Sequence, residues 1–395
     1  MPVTPLDEPI DFSLVQGGPF FQLLLRTGLV KQPGDLVVRR IVVLLLIAWM
    51  PLLVLSLLSG RAVGGVVVPF LYDLGEQVRF LLCLPLLLVA DVIVHGRIRP
   101  VVGQFLDRGV VAPEEEPRFR HAVAATMRLR NSMLAEALIL VIAIAAGSQI
   151  GRRYFVTDVT SWAAVPIDGR THMTAAGLWN AFVSLTIFRF LLLRWYFRLL
   201  VWCYFLGRVA RSIPLRLNAL HPDRAAGLGF LSGSVYAFAP ILLVHTLILS
   251  GSIGNKILHE GAALPQFKVE IAAWILSLVL LVLAPLLLFM PRLAEARRTG
   301  VRDYGIVASR YVAEFRRKWI EGHAAEDEAL LGSGDIQSLA DLSNSFEVAR
   351  GTSLVPFGLS MVGRLIVLLC IPLLPLLLTM FPLGELIDRA VGLFL

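Results

Sequence analysis

Residues 41–58 read IVVLLLIAWMPLLVLSLL, a stretch without one charged side chain. A hydrocarbon layer about 30 Å thick takes about 20 apolar residues of helix to cross, and inside it every backbone N–H and C=O must find a partner within the chain. Further apolar runs follow at 78–94, 132–150, 176–206, 228–249, 271–290 and 359–381. The expected fold is therefore all-α, a polytopic transmembrane helical bundle of six or seven spans with a small helical cytoplasmic layer. Pro372 and Pro375 break the last run, which is expected either to cross or to re-enter. Composition agrees: 57% of residues are hydrophobic and 16% charged, whereas charged residues approach about a quarter of a soluble chain.

Three regions follow. Residues 1–290 form a membrane domain with an interfacial N-terminal segment at 14–30 and spans one to six; 291–358 form a cytoplasmic helical region; 359–395 form a C-terminal span or re-entrant hairpin. Arginine sets the orientation. Loops after the even-numbered runs carry Arg97, Arg99, Arg108, Arg118 and Arg120, then Arg208, Arg211 and Arg216, then Arg292, Arg297, Arg298 and Arg302, while the other loops are poor in net positive charge, with 151–175, which holds Arg152, Arg153 and Arg170, a mild exception. The positive-inside rule places these loops and the N-terminus in the cytoplasm. Asp7, Glu8 and Asp11 precede any apolar run, the reverse of a signal peptide, so no cleavage is expected. A net charge of +7 on such a chain reads as topology signal and contact with anionic lipid, and nucleic acid is not an expected partner. Cys83, Cys203 and Cys370 all sit in apolar runs, which supports neither a disulfide framework nor a metal site.

Outside the spans, Pro113 to Pro117 starts a helix that runs through His121 and Arg128 into the third span; 293–320 reads as helix; and Asp335 is placed to cap another. Residues 154–171 are compatible with a hairpin turning at Asp168-Gly169. The most specific passage is His221-Pro222-Asp223-Arg224-Ala225-Ala226-Gly227-Leu228-Gly229. Asp223 is expected to cap a helix beginning just before Ala225, and Gly227 and Gly229 to let neighbouring backbones approach, in this chain or in a second copy. The tripeptide His221-Pro222-Asp223 also occurs in J-domain co-chaperones, but Pro214 interrupts the helix that should precede it and an apolar run follows at once.

Trp179 to Leu185, Phe190 to Trp195, His221 to Leu231 and Asp335 to Leu342 together resemble an uncharacterised family of bacterial polytopic inner-membrane proteins with a His-Pro-Asp-Arg-Ala-x-Gly-Leu-Gly-Phe-Leu signature. The resemblance implies bacterial inner-membrane residence and brings no activity with it. In the family's pattern two glycines follow His-Pro-Asp-Arg-Ala; here Ala226 stands in the place of the first.

Charges within apolar runs are costly, so they are the leads to function. Asp91, Glu136 and Arg189 map to a similar depth, and the two acids with Arg189 or Arg194 are expected to form one intramembrane polar cluster, either a brace between helices or a vestibule for an ion, proton or anionic head group. Arg194 and Arg198 lie close to the cytoplasmic edge and are expected to snorkel, and His95, His245 and His259 to be isolated at the interface. Pro51, Pro85, Pro240 and Pro285 fall within or near the middles of runs, where they kink helices and free carbonyls. No phosphate loop, nucleophile elbow or zinc-protease motif is present, so neither catalytic residues nor a cofactor are expected. These features point to a channel or secondary transporter for an ion or small solute. The alternative is a non-transporting signalling or scaffold subunit that binds a cytoplasmic partner.

Overall fold

The computed structural model describes residues 12–28, 36–154, 160–167, 170–325, 328–329 and 332–380. Seven helices among them are long and apolar enough to cross a membrane: Val37–Leu58, Leu74–Asp107, Pro113–Ala146, Ala175–Ser212, Ala239–Glu260, Leu264–Ile320 and Leu359–Thr379. The chain is an all-α polytopic bundle. Its ends differ in charge, and the one bearing the arginine-rich loops is called here the basic end, the other the far end.

Proline shapes the first span. Pro51 has no N–H to offer the carbonyl of Ile47, and the helix breaks at Trp49. The freed Ile47 oxygen accepts from the Trp179 indole at 3.1 Å, and the next carbonyl, Ala48, accepts from Ser184 Oγ at 2.6 Å. Both donors come from the start of the fourth span, so this kink is closed by protein.

The third span begins as expected, with Pro113 and acidic residues in its first turns. It bends at Asn131, whose Oδ1 accepts the N–H of Gly18 at 3.0 Å and so ties down the N-terminal surface helix Pro19–Arg26. The fifth span differs from expectation. Residues 224–228 are loop, short turns cover Gly229–Leu231 and Ser232–Ala237, and the span itself starts at Ala239 with Pro240 in its first turn, where a missing N–H costs nothing.

The sixth span and the expected 293–320 helix are one run of 57 residues, Leu264–Ile320, bent at Pro285. At about 1.5 Å per residue it is about 85 Å long, far more than a bilayer needs, so its second half leaves the basic end as an arm. The helix Gly334–Arg350 folds back along that arm. The close approach is made at Gly300, where a Cβ would lie 2.4 Å from that of Ala219 and 3.6 Å from that of Ala349. Asp335 does not cap the returning helix. It lies inside the first turn, and its Oδ2 accepts from Lys318 Nζ at 2.9 Å and Trp319 Nε1 at 2.8 Å, pinning the arm's tip. The seventh helix continues without reversal from Leu359 through a tighter turn at Ile371–Thr379. Its length of about 36 Å suits a crossing.

A two-stranded hairpin caps the far end: β1 (Ala164–Ile167) pairs antiparallel with β2 (Arg170–Met173), with Val165 opposite His172. The Asp168-Gly169 turn lies outside the described residues. At the basic end the core is aromatic: Phe12 packs 4.9 Å from Phe205, and Phe105 packs 5.0 Å from Phe230.

Candidate functional site: the intramembrane charges

Asp91 stands at the centre of the first group. Its Oδ2 accepts from Arg40 Nη1 at 3.2 Å and its Oδ1 from Arg198 Nη1 at 2.6 Å, so one carboxylate joins the first, second and fourth spans. Arg194, one turn before Arg198 on the same helix face, reaches the third span instead: its Nε lies 3.3 Å from Glu136 Oε1. The other Glu136 oxygen accepts the Phe20 N–H at 2.7 Å, at the first turn of the surface helix. Aromatic rings complete the packing, with the Arg194 guanidinium 4.5 Å from the Phe20 ring and that of Arg198 4.3 Å from Trp195. The five charged side chains are 6% to 14% exposed. At that burial an unpaired charge is very costly, whereas this geometry gives each carboxylate oxygen a donor. Arg194 and Arg198 are thus paired members of the group and do not snorkel.

The group unites Asp91, Glu136 and Arg194 and leaves Arg189 out. Depth was the criterion in the sequence, but position around the helix axis decides contact, and Arg189 is five residues from Arg194, about 140° away. Its charged neighbours are Arg79 and Glu76. Glu76, 6% exposed, pairs with Arg79 one turn along, and Asn180 lies against the same carboxylate. Glu76 Oε2, Asn180 Oδ1 and Arg189 Nη1 are buried without a hydrogen-bond partner among the described residues. The helices widen to π-helical turns here, at Val78–Cys83 and Asn180–Ser184, each adjoining one of these polar residues. Such turns are frequent at functional sites. Glu76 escaped the sequence reading because the second span was begun at residue 78; the i, i+3 spacing of Glu76 and Arg79 was the available signal.

Of the three histidines, His245 is the correction. It is buried within the fifth span, its Nδ1 2.7 Å from the Ile241 carbonyl and its Nε2 in contact with the Tyr196 hydroxyl. His95 pairs with Ser13 Oγ at 3.0 Å, and His259 lies 3.1 Å from the Tyr72 carbonyl.

The His221-Pro222-Asp223-Arg224 segment is a loop wound around one carboxylate. Asp223 Oδ1 accepts the N–H groups of Ala225 at 2.8 Å and Gly227 at 3.1 Å, Oδ2 that of Gly229 at 2.8 Å, and His221 Nδ1 lies 2.9 Å from Oδ1. Burial opposes the charge on Asp223, but the three amides outweigh it and hold the carboxyl below the usual carboxylate range. Arg224 and Ala226 both sit at φ 53° and Gly227 at 96°, so Ala226 occupies a conformation that glycine suits better. Gly229 serves the same carboxylate, since a Cβ there would fall 2.9 Å from Asp223 Oδ2. The two glycines thus serve the Asp223 loop, a role the expected helix packing does not describe. The loop in turn holds the chain that enters the seventh helix: Ser353 N–H donates to the Arg224 carbonyl at 2.7 Å, and Thr352 Oγ1 to that of Ala219 at 2.9 Å.

These features define an integral, polytopic membrane protein whose spans are tied at the basic end by ion pairs. Compared with protein-family models, curated proteins and solved structures, the chain matches none.

Proposed function

We propose that this protein is a non-transporting docking subunit of a bacterial inner membrane, its basic end and N-terminus in the cytoplasm and its helical arm the binding site for a soluble protein. The observation that carries this reading is the saturation of the deepest acids of the first group. Asp91 is held by Arg40 and Arg198, and Glu136 by Arg194 and the Phe20 amide. A permeation path needs charges that solute and water can reach; paired and buried ones act as a brace between spans. The arm, by contrast, turns Ile306, Val307, Val312 and Ile336 to solvent at about half exposure and also carries Arg297, Arg298 and Arg302. The arginine excess supports a cytoplasmic arm, and the family resemblance supports a bacterial inner membrane.

A photoreactive residue placed at Val307 in intact cells tests this. The expected result is one discrete adduct with a different protein, lost when Val312 becomes Glu. An adduct of twice the chain's own mass would instead assign the surface to a second copy and overturn the reading.

The second reading, a channel or secondary transporter, is favoured by the Glu76, Asn180 and Arg189 group, whose buried, unsatisfied polar atoms adjoin two widened helical turns. Ion flux that disappears in Glu76→Gln would establish it.

A further inference from the structure

A cavity of about 670 Å³ opens at the basic end between the Asp223 loop, the end of the second span and the start of the seventh helix. Arg108, Arg224 and Arg364 line it from three separate parts of the chain. None of the three has an acidic partner among the described residues, although most exposed arginines of the arm do. Each is nonetheless positioned. The Arg108 guanidinium lies 5.3 Å from the Phe230 ring, the Arg224 backbone is fixed by Ser353, and Arg364 Nε donates to the Ser360 carbonyl at 3.2 Å. Asp223 is the one carboxylate in the lining, and its oxygens are already committed to three backbone amides. The cavity therefore carries uncompensated positive charge.

Its other wall is apolar, formed by Val355, Phe357 and Met361. It sits where the seventh helix begins. On that helix Leu359 and Val367, which flank Arg364, are 90% and 67% exposed, as expected of side chains turned to lipid. Arg364 lies about 7 Å along a helix about 36 Å long, so if that helix crosses a core about 30 Å thick the long side chain reaches back to the phosphate layer. Arginine forks match phosphate oxygens, and a basic pocket between membrane helices is a setting for an acidic headgroup.

We propose that this cavity binds the phosphate headgroup of an anionic phospholipid, with the acyl chains lying along the apolar face of the seventh helix. The inference rests on that helix crossing the bilayer and is independent of what the arm binds. Full-length protein in detergent, mixed with phosphatidylglycerol or phosphatidylcholine and examined by native mass spectrometry, tests it. The expected result is preferential retention of phosphatidylglycerol, with affinity falling on the order of tenfold for each of Arg108→Gln, Arg224→Gln and Arg364→Gln. Arg364→Lys should restore part of the loss, since it keeps the charge without the fork. Arg297→Gln and Arg298→Gln, on the arm, should change nothing. Equal retention of the two lipids, or unchanged retention in the triple Gln variant, would overturn the proposal. Displacement by inorganic phosphate would also overturn it, by assigning the cavity to a soluble phosphate compound.

Discussion

Asp91 on the second span and Arg198 on the fourth meet at 2.6 Å, and the second oxygen of the same carboxylate holds Arg40 of the first span. Removing the acid leaves two buried guanidinium groups facing each other. Asp91→Asn should destabilise the folded bundle by about 3 kcal/mol, as breaking a buried pair from one side does. Arg198→Gln added to it should cost much less than the sum of the single changes, because the double variant removes one of the uncompensated charges. Denaturant unfolding in a fixed detergent measures both; strict additivity would show that the two groups do not interact.

The Asp223 loop carries a pH signature. Its folded carboxyl titrates below the usual range, so its contribution to stability is complete above the ordinary carboxylate pKa of about 3.9 and is lost as pH falls through the lower, folded value. The protection of Ala225, Gly227 and Gly229 against hydrogen exchange, taken relative to an unstructured peptide at the same pH, should be high at neutral pH and drop at acid pH. In Asp223→Asn it should be lower throughout and lack the acid step. A parent protein whose protection at these amides shows no acid step would refute the assignment.

Ala226 at φ 53° is a second handle on the same loop. A left-handed alanine is strained by about 1 kcal/mol relative to glycine, and the methyl lost on substitution is small. Ala226→Gly should slow exchange across the loop without altering the rest of the bundle; faster exchange would mean that methyl packing outweighs backbone strain.

Docking of the arm hinges on Gly300. A valine there would collide with Ala219, whose Cβ lies 2.4 Å from the position a Cβ would take. Gly300→Val should free the arm and raise trypsin cleavage at Arg297 and Arg298, while leaving the seven membrane helices intact by circular dichroism. Unchanged cleavage would show that the arm is not held at this point.

How far the sequence was legible depended on the kind of constraint. Apolar length located the spans, because the bilayer imposes it residue by residue, and Pro113 with its following acids marked a true helix start. Depth brought Asp91 and Glu136 together but set Arg194 at the membrane edge, and Arg194 is the residue that reaches Glu136. Arg189 falls outside the group because the π-helical turn at Asn180–Ser184 and the angular step to Arg194 aim it elsewhere, and neither is visible in hydropathy. Arg40 directly precedes the first apolar run and Arg198 was read as an edge residue; only the position of Asp91 between them shows their role. Asp223 was legible as an acceptor of backbone amides, but not as the centre of a loop, because its third donor, Gly229, is six residues away and three intervening residues adopt positive φ.

Flux through vesicles is the most direct test of the central claim, that the buried charges brace the spans and open no path. Purified full-length protein reconstituted in proteoliposomes, with gradients of protons, sodium, potassium and chloride in turn, should leak no faster than protein-free vesicles, and Asp91→Asn should lose stability without gaining or losing flux. A gradient that collapses through the parent protein, and is held again in Glu76→Gln or Asp91→Asn, would contradict the account.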